Sequence, residues 1–88
     1  VIALTKHIAL EYGNKKIRAY TLALGNIETD AKYYAMTKRD RNKGVSEPAM
    51  KRWGSVEEVA KVAACLGSEI FSYATGNTII IDGGKVIV

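Results

Sequence analysis

The feature that most constrains the fold is the short run Thr78–Ile81, one threonine and three isoleucines, which stops at Asp82. β-Branched residues without polar alternation are typical of a strand that is covered on both faces, as in a parallel sheet. A second run of this kind, Ile17–Leu24, lies closer to the start of the 88-residue chain. Parallel strands need a long crossover, and two strands alone do not form a stable sheet. The sequence therefore predicts an α/β protein in which further strands or a partner chain complete the sheet.

Helical periodicity predicts the elements before and between these strands. An apolar stripe that includes Leu4 and Ile8 predicts a helix over the first twelve residues. Ser55, followed three positions later by Glu58, has the pattern of a capping box, and Gly67 is a typical helix end. We therefore predict a second long helix between these two points, directly before the isoleucine strand.

The segment of residues 31–53 has a mixed composition. It is predicted to hold a short helix near 31–39, a polar loop and a second short helix near 47–52, so the order is helix, strand, short helices, helix, strand. The net charge of +4 comes mostly from basic residues between Lys32 and Arg52. Few aromatic residues interleave with these charges, so a solvated basic surface is favoured over a nucleic-acid site. We expect no nucleic-acid partner.

Composition narrows the remaining classes. No apolar run approaches the ~18 residues that a membrane helix requires, and no signal peptide is visible. The single cysteine, Cys65, cannot form an internal disulfide, which favours a reducing compartment. The single histidine has no second histidine with which to build a metal site. We therefore expect a cytoplasmic protein with no metal and no membrane partner.

Two long stretches carry motifs in a characteristic order. The stretch ALTKHIALEYGNKKIRAYTLALGNIETD pairs a helix with a strand and a glycine turn, and RWGSVEEVAKVAACLGSEIFSYATGNTIIIDGG ends in Asp-Gly-Gly. Together they resemble the C-terminal part of the short-chain dehydrogenase/reductase (SDR) family, with its IRVN strand, PG-x-x-x-T turn and R-x-G-x-P-E-E-V-A ending. The 3-oxoacyl reductase type is the subgroup that the chain resembles most. Three positions depart from the family pattern: Tyr20 replaces an Asn, and Leu24 and Val56 each replace a Pro.

The resemblance implies a fold and an activity. The fold is the C-terminal portion of a doubly wound parallel-sheet Rossmann fold, with residues 1–88 forming part of a single domain and residues 31–53 covering the substrate. The activity is that of an NAD(P)-dependent oxidoreductase, which interconverts a carbonyl and an alcohol by hydride transfer. The implied partners are NAD or NADP, a small-molecule carbonyl or alcohol, and further copies in a dimer or homotetramer.

The resemblance also implies cofactor contacts after the first strand, where ligands bind in such folds. Gly25 would let the backbone approach the nicotinamide. The backbone of Ile27 would contact the carboxamide, and the hydroxyl of Thr29 would contact the carboxamide or a phosphate.

No catalytic residue is implied within these 88 residues. The family's Tyr-x-x-x-Lys is expected just before Val1, and the glycine-rich phosphate loop is expected in a missing N-terminal half. The pair Tyr34 and Lys38 has the catalytic spacing, but it follows the cofactor turn, so a chance match is favoured. We expect the fragment alone to be inactive. The alternative is a non-catalytic SDR-like module for oligomerisation or regulation.

Overall fold

The computed structural model describes residues 1–85, apart from the side chains of residues 30 and 31. Helices and short strands alternate along this part of the chain. In chain order they are α1 (Ile2–Tyr12), β1 (Tyr20–Leu24), β2 (Ile27–Glu28), α2 (Asp30–Ala35), α3 (Lys38–Ser46), β3 (Gly54–Ser55), α4 (Val56–Leu66) and β4 (Asn77–Ile81). Single 3₁₀ turns follow α1 and α4, at Gly13–Lys15 and Glu69–Phe71.

The two predicted strands pair with each other in parallel. Tyr20 of β1 lies opposite Asn77 of β4, and Leu24 lies opposite Ile81. The α/β class and the parallel pairing are therefore confirmed. Strand β1 begins three residues later than predicted, at Tyr20, where its pairing with Asn77 of β4 starts.

Helix α1 packs against this strand pair through a polar contact. The hydroxyl of Thr5 lies 2.6 Å from that of Thr21, and both residues are buried. Since the Thr5 hydroxyl donates to the carbonyl of Val1 at 3.0 Å, Thr21 is the donor between the two threonines. The predicted apolar stripe faces the strands only in part. Ile8 is half-buried, whereas Leu4 remains 60 % exposed.

Tyr20, which departs from the family pattern, holds β1 to the segment before β4. Its hydroxyl donates to the carbonyl of Ala74, and its ring meets that of Phe71 edge-to-face at 6.5 Å. The guanidinium of Arg18 donates to the carbonyl of Phe71 and, at 3.2 Å, to the carbonyl of Ser68. The phenol and the guanidinium thus donate hydrogen bonds to backbone carbonyls of the loop between α4 and β4, which has little secondary structure of its own.

Helix α4 forms as its capping box predicts. The Glu58 N–H donates to the Ser55 hydroxyl at 3.2 Å, and the Ser55 N–H donates back to the Glu58 carboxylate at 3.0 Å. A two-residue parallel pair lies directly before it, in which Ile27 of β2 is opposite Gly54 of β3. This second pair could not be predicted, because strands of two residues carry no periodicity.

The segment of residues 31–53 differs from its prediction in three places. The helix predicted near 31–39 ends at Ala35. The predicted polar loop is wrong: helix α3 occupies it, and the Thr37 side chain caps that helix by accepting from the Asp40 N–H at 3.1 Å. The predicted helix near 47–52 is also wrong. Pro48 is fully buried there, and Lys51 has a left-handed φ of 55°, which is incompatible with a continuing helix.

These residues bury little apolar surface among themselves. Leu66 and Pro48 are the only residues with apolar side chains that are buried in the described part of the chain, whereas Leu24 and Ile80 are 51 % and 62 % exposed. The accessible surface is 6664 Å², and a folded monomer of this mass exposes about 5,100 Å². The radius of gyration is 15.5 Å, against about 12 Å for a compact domain of 88 residues. The cover that β4 requires on both faces is not supplied by the described residues.

Candidate functional site

The ends of β1 and β4 meet in a very close backbone contact. The Gly25 N–H donates to the carbonyl of Ile81 at 3.0 Å and extends the strand pairing by one step. A β-carbon on Gly25 would lie 2.6 Å from the β-carbon of Asp82 and 2.8 Å from its α-carbon. Only glycine fits here, so packing against Asp82 requires this residue whatever its role toward a ligand.

The Asp-Gly-Gly sequence after β4 forms a tight turn. Gly83 and Gly84 have φ values of 61° and 83°, and the Lys85 N–H donates to the Asp82 carbonyl at 3.2 Å. Two consecutive positive φ values define a type I′ turn, which glycine adopts without strain. The carbonyl of Gly83 accepts from the Met50 N–H at 2.9 Å, so the turn also anchors the end of the 31–53 segment.

The three predicted cofactor residues lie together at this edge. Gly25, Ile27 and Thr29 line one cavity of about 250 Å³. The remaining lining residues are Leu24, Asn26, Lys32, Tyr33, Met36 and Trp53. The cavity thus has the turn after β1 on one side and aromatic side chains of the 31–53 segment on another.

Thr29 occupies the position before α2 without capping that helix through its side chain. Its carbonyl accepts from the Tyr33 N–H at 2.8 Å, but its hydroxyl makes no capping hydrogen bond. By contrast, Thr37 and Ser55 each use the side-chain oxygen to cap the helix that follows. The exposed Thr29 hydroxyl therefore has no structural task among the side chains that the structure describes, which distinguishes it from the other caps.

Trp53 holds the aromatic wall of this cavity in place. Its indole N–H donates to the carbonyl of Arg41 at 3.0 Å, and its ring meets that of Tyr33 edge-to-face at 5.3 Å. The ring covers Gly44, where a β-carbon would lie 2.2 Å from the nearest ring carbon. The guanidinium of Arg41 lies over the Tyr33 ring at 5.4 Å. Trp53 therefore joins α2 and α3 to the chain before β3.

A second cavity of about 330 Å³ lies on the other side of Asn26 and contains an ion pair. The guanidinium of Arg52 donates to both carboxylate oxygens of Glu58, at 2.8 Å and 2.9 Å. This pair of hydrogen bonds, helped by the Ser55 N–H, lowers the pKa of Glu58 to about 2. Both side chains are about half exposed, so the pair orders the entrance to α4 more than it adds stability.

Asn26 is the residue of this site that sequence reasoning missed as a functional candidate. Its side-chain N–H donates to the Gly44 carbonyl at 3.0 Å, and its side-chain oxygen accepts from the Lys85 ammonium at 3.2 Å. Lys85 also lies 3.6 Å from the Glu47 carboxylate. We call the set of Asn26, Gly44, Glu47 and Lys85 the Asn26 junction. The sequence alone carries no signal for this role, because the partners of the Asn26 side chain lie 18 and 59 positions away in the chain.

Other candidates do not assemble into sites. Tyr34 lies in α2 and Lys38 begins α3, and two of the three residues between them are extended, with ψ values of 151° at Met36 and 158° at Thr37. The two side chains therefore do not share a helix face as a catalytic Tyr-x-x-x-Lys does. Within residues 1–85 no cluster of three or more potential metal ligands occurs, and no helix is long and apolar enough to cross a membrane.

Comparisons with known proteins match nearly the whole of this chain. The profile of the family described as enoyl-(acyl carrier protein) reductase matches residues 1–85. Glucose 1-dehydrogenase 2 of Bacillus subtilis strain 168 is 39% identical over 84 residues, which cover 96% of this chain and 33% of that protein.

Solved structures give the same result. A 3-oxoacyl-[acyl-carrier protein] reductase from Brucella melitensis superposes with a TM-score of 0.91 at 34% identity, over 98% of this chain and 32% of that one. A 4-hydroxyisoleucine dehydrogenase complexed with NADH superposes with a TM-score of 0.86 at 29% identity, over 97% and 35% of the two chains. The chain spans about a third of the length of the relatives it matches.

Proposed function

Because this chain belongs to the short-chain dehydrogenase/reductase family, we propose that it is the C-terminal part of an NAD(P)-dependent oxidoreductase that interconverts a carbonyl and an alcohol. The observation that carries the proposal is the position of Gly25, Ile27 and Thr29 around one cavity at the carboxyl ends of parallel strands. Ligands of doubly wound folds bind at this edge. The NADH bound to the related 4-hydroxyisoleucine dehydrogenase supports a nicotinamide dinucleotide, and NADP is the alternative.

Each of the three residues has a separate role in this proposal. Thr29 donates or accepts a hydrogen bond at the carboxamide or a phosphate of the dinucleotide, since its hydroxyl is not used for capping. Ile27 contributes its backbone to the carboxamide. Gly25 keeps the chain close to Asp82, so that the turn lies at the edge of the sheet.

The rest of the site comes from the rest of the protein. We propose that residues 1–88 belong to a single Rossmann-type domain and that the N-terminal part supplies the phosphate loop and the catalytic tyrosine and lysine. The one-third coverage of the relatives supports this division. The 31–53 segment would cover the substrate, and its side chains Tyr33 and Trp53 would form the wall of the cavity that faces the substrate. These 88 residues alone would then be inactive.

We propose that the protein assembles as a dimer or homotetramer through α1 and β4. Leu4 and Leu10 of α1 are 60 % and 85 % exposed, and Ile80 of β4 is 62 % exposed, which supports a covered surface in the assembled protein. A cytoplasmic location is consistent with one free cysteine, Cys65, among the described residues.

The test is Thr29→Val in the intact protein, with Thr37→Val as the matched control. Loss of the Thr29 hydroxyl should weaken NADH or NADPH binding by roughly 10- to 100-fold, measured by fluorescence titration, and should leave the melting temperature unchanged. Loss of the Thr37 hydroxyl, which caps α3, should cost about 1 kcal/mol of stability and leave dinucleotide affinity unchanged.

Two results would contradict the proposal. Unchanged dinucleotide affinity in Thr29→Val would remove the cofactor role of this hydroxyl. An intact wild-type protein that assembles but binds neither NADH nor NADPH would favour a non-catalytic oligomerisation or regulatory module.

A further inference from the structure

We propose that Asn26 is a positioning residue whose carboxamide holds the 31–53 segment over the cavity that begins at Gly25. Its effect on catalysis rests on the function proposed above, whereas its effect on the position of the segment does not. Asn26 touches two cavities and connects the turn after β1, the end of α3 and the tail after β4.

The main contact satisfies a backbone carbonyl that the helix itself cannot satisfy. In an α-helix the carbonyl of Gly44 would accept from the N–H of the residue four positions later, which here is Pro48. Proline has no N–H to donate. Gly44 is buried, so its carbonyl would lack a partner if Asn26 did not donate to it at 3.0 Å. The turn after β1 therefore caps the C-terminal end of α3 with a side chain.

The other contacts of Asn26 add charge and backbone bonds to the same junction. Its carboxamide oxygen accepts from Lys85 at 3.2 Å, and Lys85 forms an ion pair with Glu47 at 3.6 Å. The backbone carbonyl of Asn26 accepts from the Gly54 N–H at 2.9 Å, which starts the β2–β3 pairing. Asn26 thus binds the 31–53 segment near the end of α3, at Gly44, and also binds Gly54, the residue that directly follows the segment.

The position of Asn26 in the chain makes this contact relevant to the site. Gly25 and Ile27, its two neighbours, line the same cavity as Trp53, whose ring covers Gly44. Release of the Gly44 carbonyl would free the end of α3 and with it the Trp53 wall. The wall on the substrate side would then move, while the Thr29 side of the cavity would remain attached to the strands.

The experiment compares Asn26→Ala with Asn42→Ala in the intact protein. Asn42 lies on α3, is exposed, and makes no side-chain hydrogen bond to the residues that the structure describes, so it is a matched control. Trypsin cleaves after the basic residues of α3 when the helix opens. Asn26→Ala should raise the rate of cleavage within α3 by about 2- to 10-fold, as expected for the loss of one net hydrogen bond. Asn42→Ala should not raise the rate, and the higher helix propensity of alanine should lower it slightly.

Kinetics test the positioning role. Asn26→Ala should raise the KM for the carbonyl or alcohol substrate at least 3-fold, and both kcat and the Kd of the dinucleotide should stay within about 2-fold. Thr29→Val should instead raise the Kd of the dinucleotide and leave the KM for the carbonyl or alcohol substrate unchanged. If the cleavage rate rises but the KM does not, the positioning role is wrong. If the wild-type protein has no turnover, the proposed function fails, and the cleavage rates still test the contact.

Two further variants distinguish the hydrogen bond from Asn26 to Gly44 from the ion pair of Lys85. Pro48→Ala provides an N–H at the position where the Gly44 carbonyl would normally find one, so Asn26→Ala should accelerate cleavage much less in this background. Lys85→Met removes the ion pair and keeps the donation to Gly44, so it should have a smaller effect than Asn26→Ala. Equal effects of Lys85→Met and Asn26→Ala, or no dependence on residue 48, would overturn the proposal.

Discussion

The contact between Gly44 and Trp53 gives the sharpest test of the packing in the 31–53 segment. Glycine inside a helix costs about 1 kcal/mol relative to alanine, so helix propensity alone predicts that Gly44→Ala stabilises α3. The structure predicts the reverse. A methyl group at this position would lie 2.2 Å from a ring carbon of Trp53, more than 1 Å inside normal contact distance.

The Trp53 ring cannot move away cheaply. Its N–H is bonded to the Arg41 carbonyl at 3.0 Å, and its ring meets that of Tyr33 edge-to-face at 5.3 Å. Overpacking of this kind costs about 1–3 kcal/mol, and loss of the indole hydrogen bond would add about 1 kcal/mol. After subtracting the gain in helix propensity, we expect Gly44→Ala to lower the free energy of unfolding by about 1–3 kcal/mol.

The assay is urea unfolding of the intact protein, with Gly13→Ala as the matched control. Gly13 has φ −58° and ψ −36°, and a methyl group there would meet no atom within 4 Å. The same substitution should therefore stabilise the protein there by about 0.4–1 kcal/mol. If Gly44→Ala were as stabilising as Gly13→Ala, the Trp53 ring would not lie over α3 as described.

Two other predictions concern acid stability and association. The folded pKa of Glu58, about 2, lies below its ordinary value of 4.5, so its stabilising contribution is present above about pH 4.5 and is lost as the pH falls toward 2. Between these pH values, the free energy of unfolding of Glu58→Gln should therefore depend less on pH than that of the wild-type protein. An NMR titration of the Glu58 carboxylate with an ordinary midpoint would contradict the Arg52 contact. The isolated 88-residue chain should self-associate or fold poorly, because it exposes about 1,600 Å² more surface than a compact monomer. Sedimentation should show association that Leu10→Glu weakens, and a monomer with a cooperative thermal transition would refute this expectation.

The elements that follow strong local patterns could be predicted from the sequence. Helix α4 has its capping box at Ser55 and Glu58, and strand β4 has its run of isoleucines, so both lie where the pattern indicates. Helix α3 could not be predicted in the same way. It has almost no apolar periodicity and contains Gly44, and the structure stabilises it through Trp53 and Asn26, which are distant in sequence.

The candidate site likewise has residues that could be predicted and one that could not. The resemblance to the family indicated Gly25, Ile27 and Thr29, and the structure brings all three to one cavity, while their contacts with a dinucleotide stay a prediction. The role of Asn26 could not be predicted, because it depends on a carbonyl that only the end of α3 at Pro48 leaves without a partner. Such a relation between a turn and a helix end becomes visible only when both are placed in space.

The parallel pairing of β1 with β4 also sets the timing of folding during synthesis. Tyr20 pairs with Asn77, 57 positions later in the chain. At about 5–20 residues per second, β1 is synthesised roughly 3–11 s before its partner strand. During that interval the β4-facing edge of β1 is open to other strands, including those of neighbouring nascent chains. Production of this protein should therefore depend on translation speed and on chaperones that bind extended apolar segments.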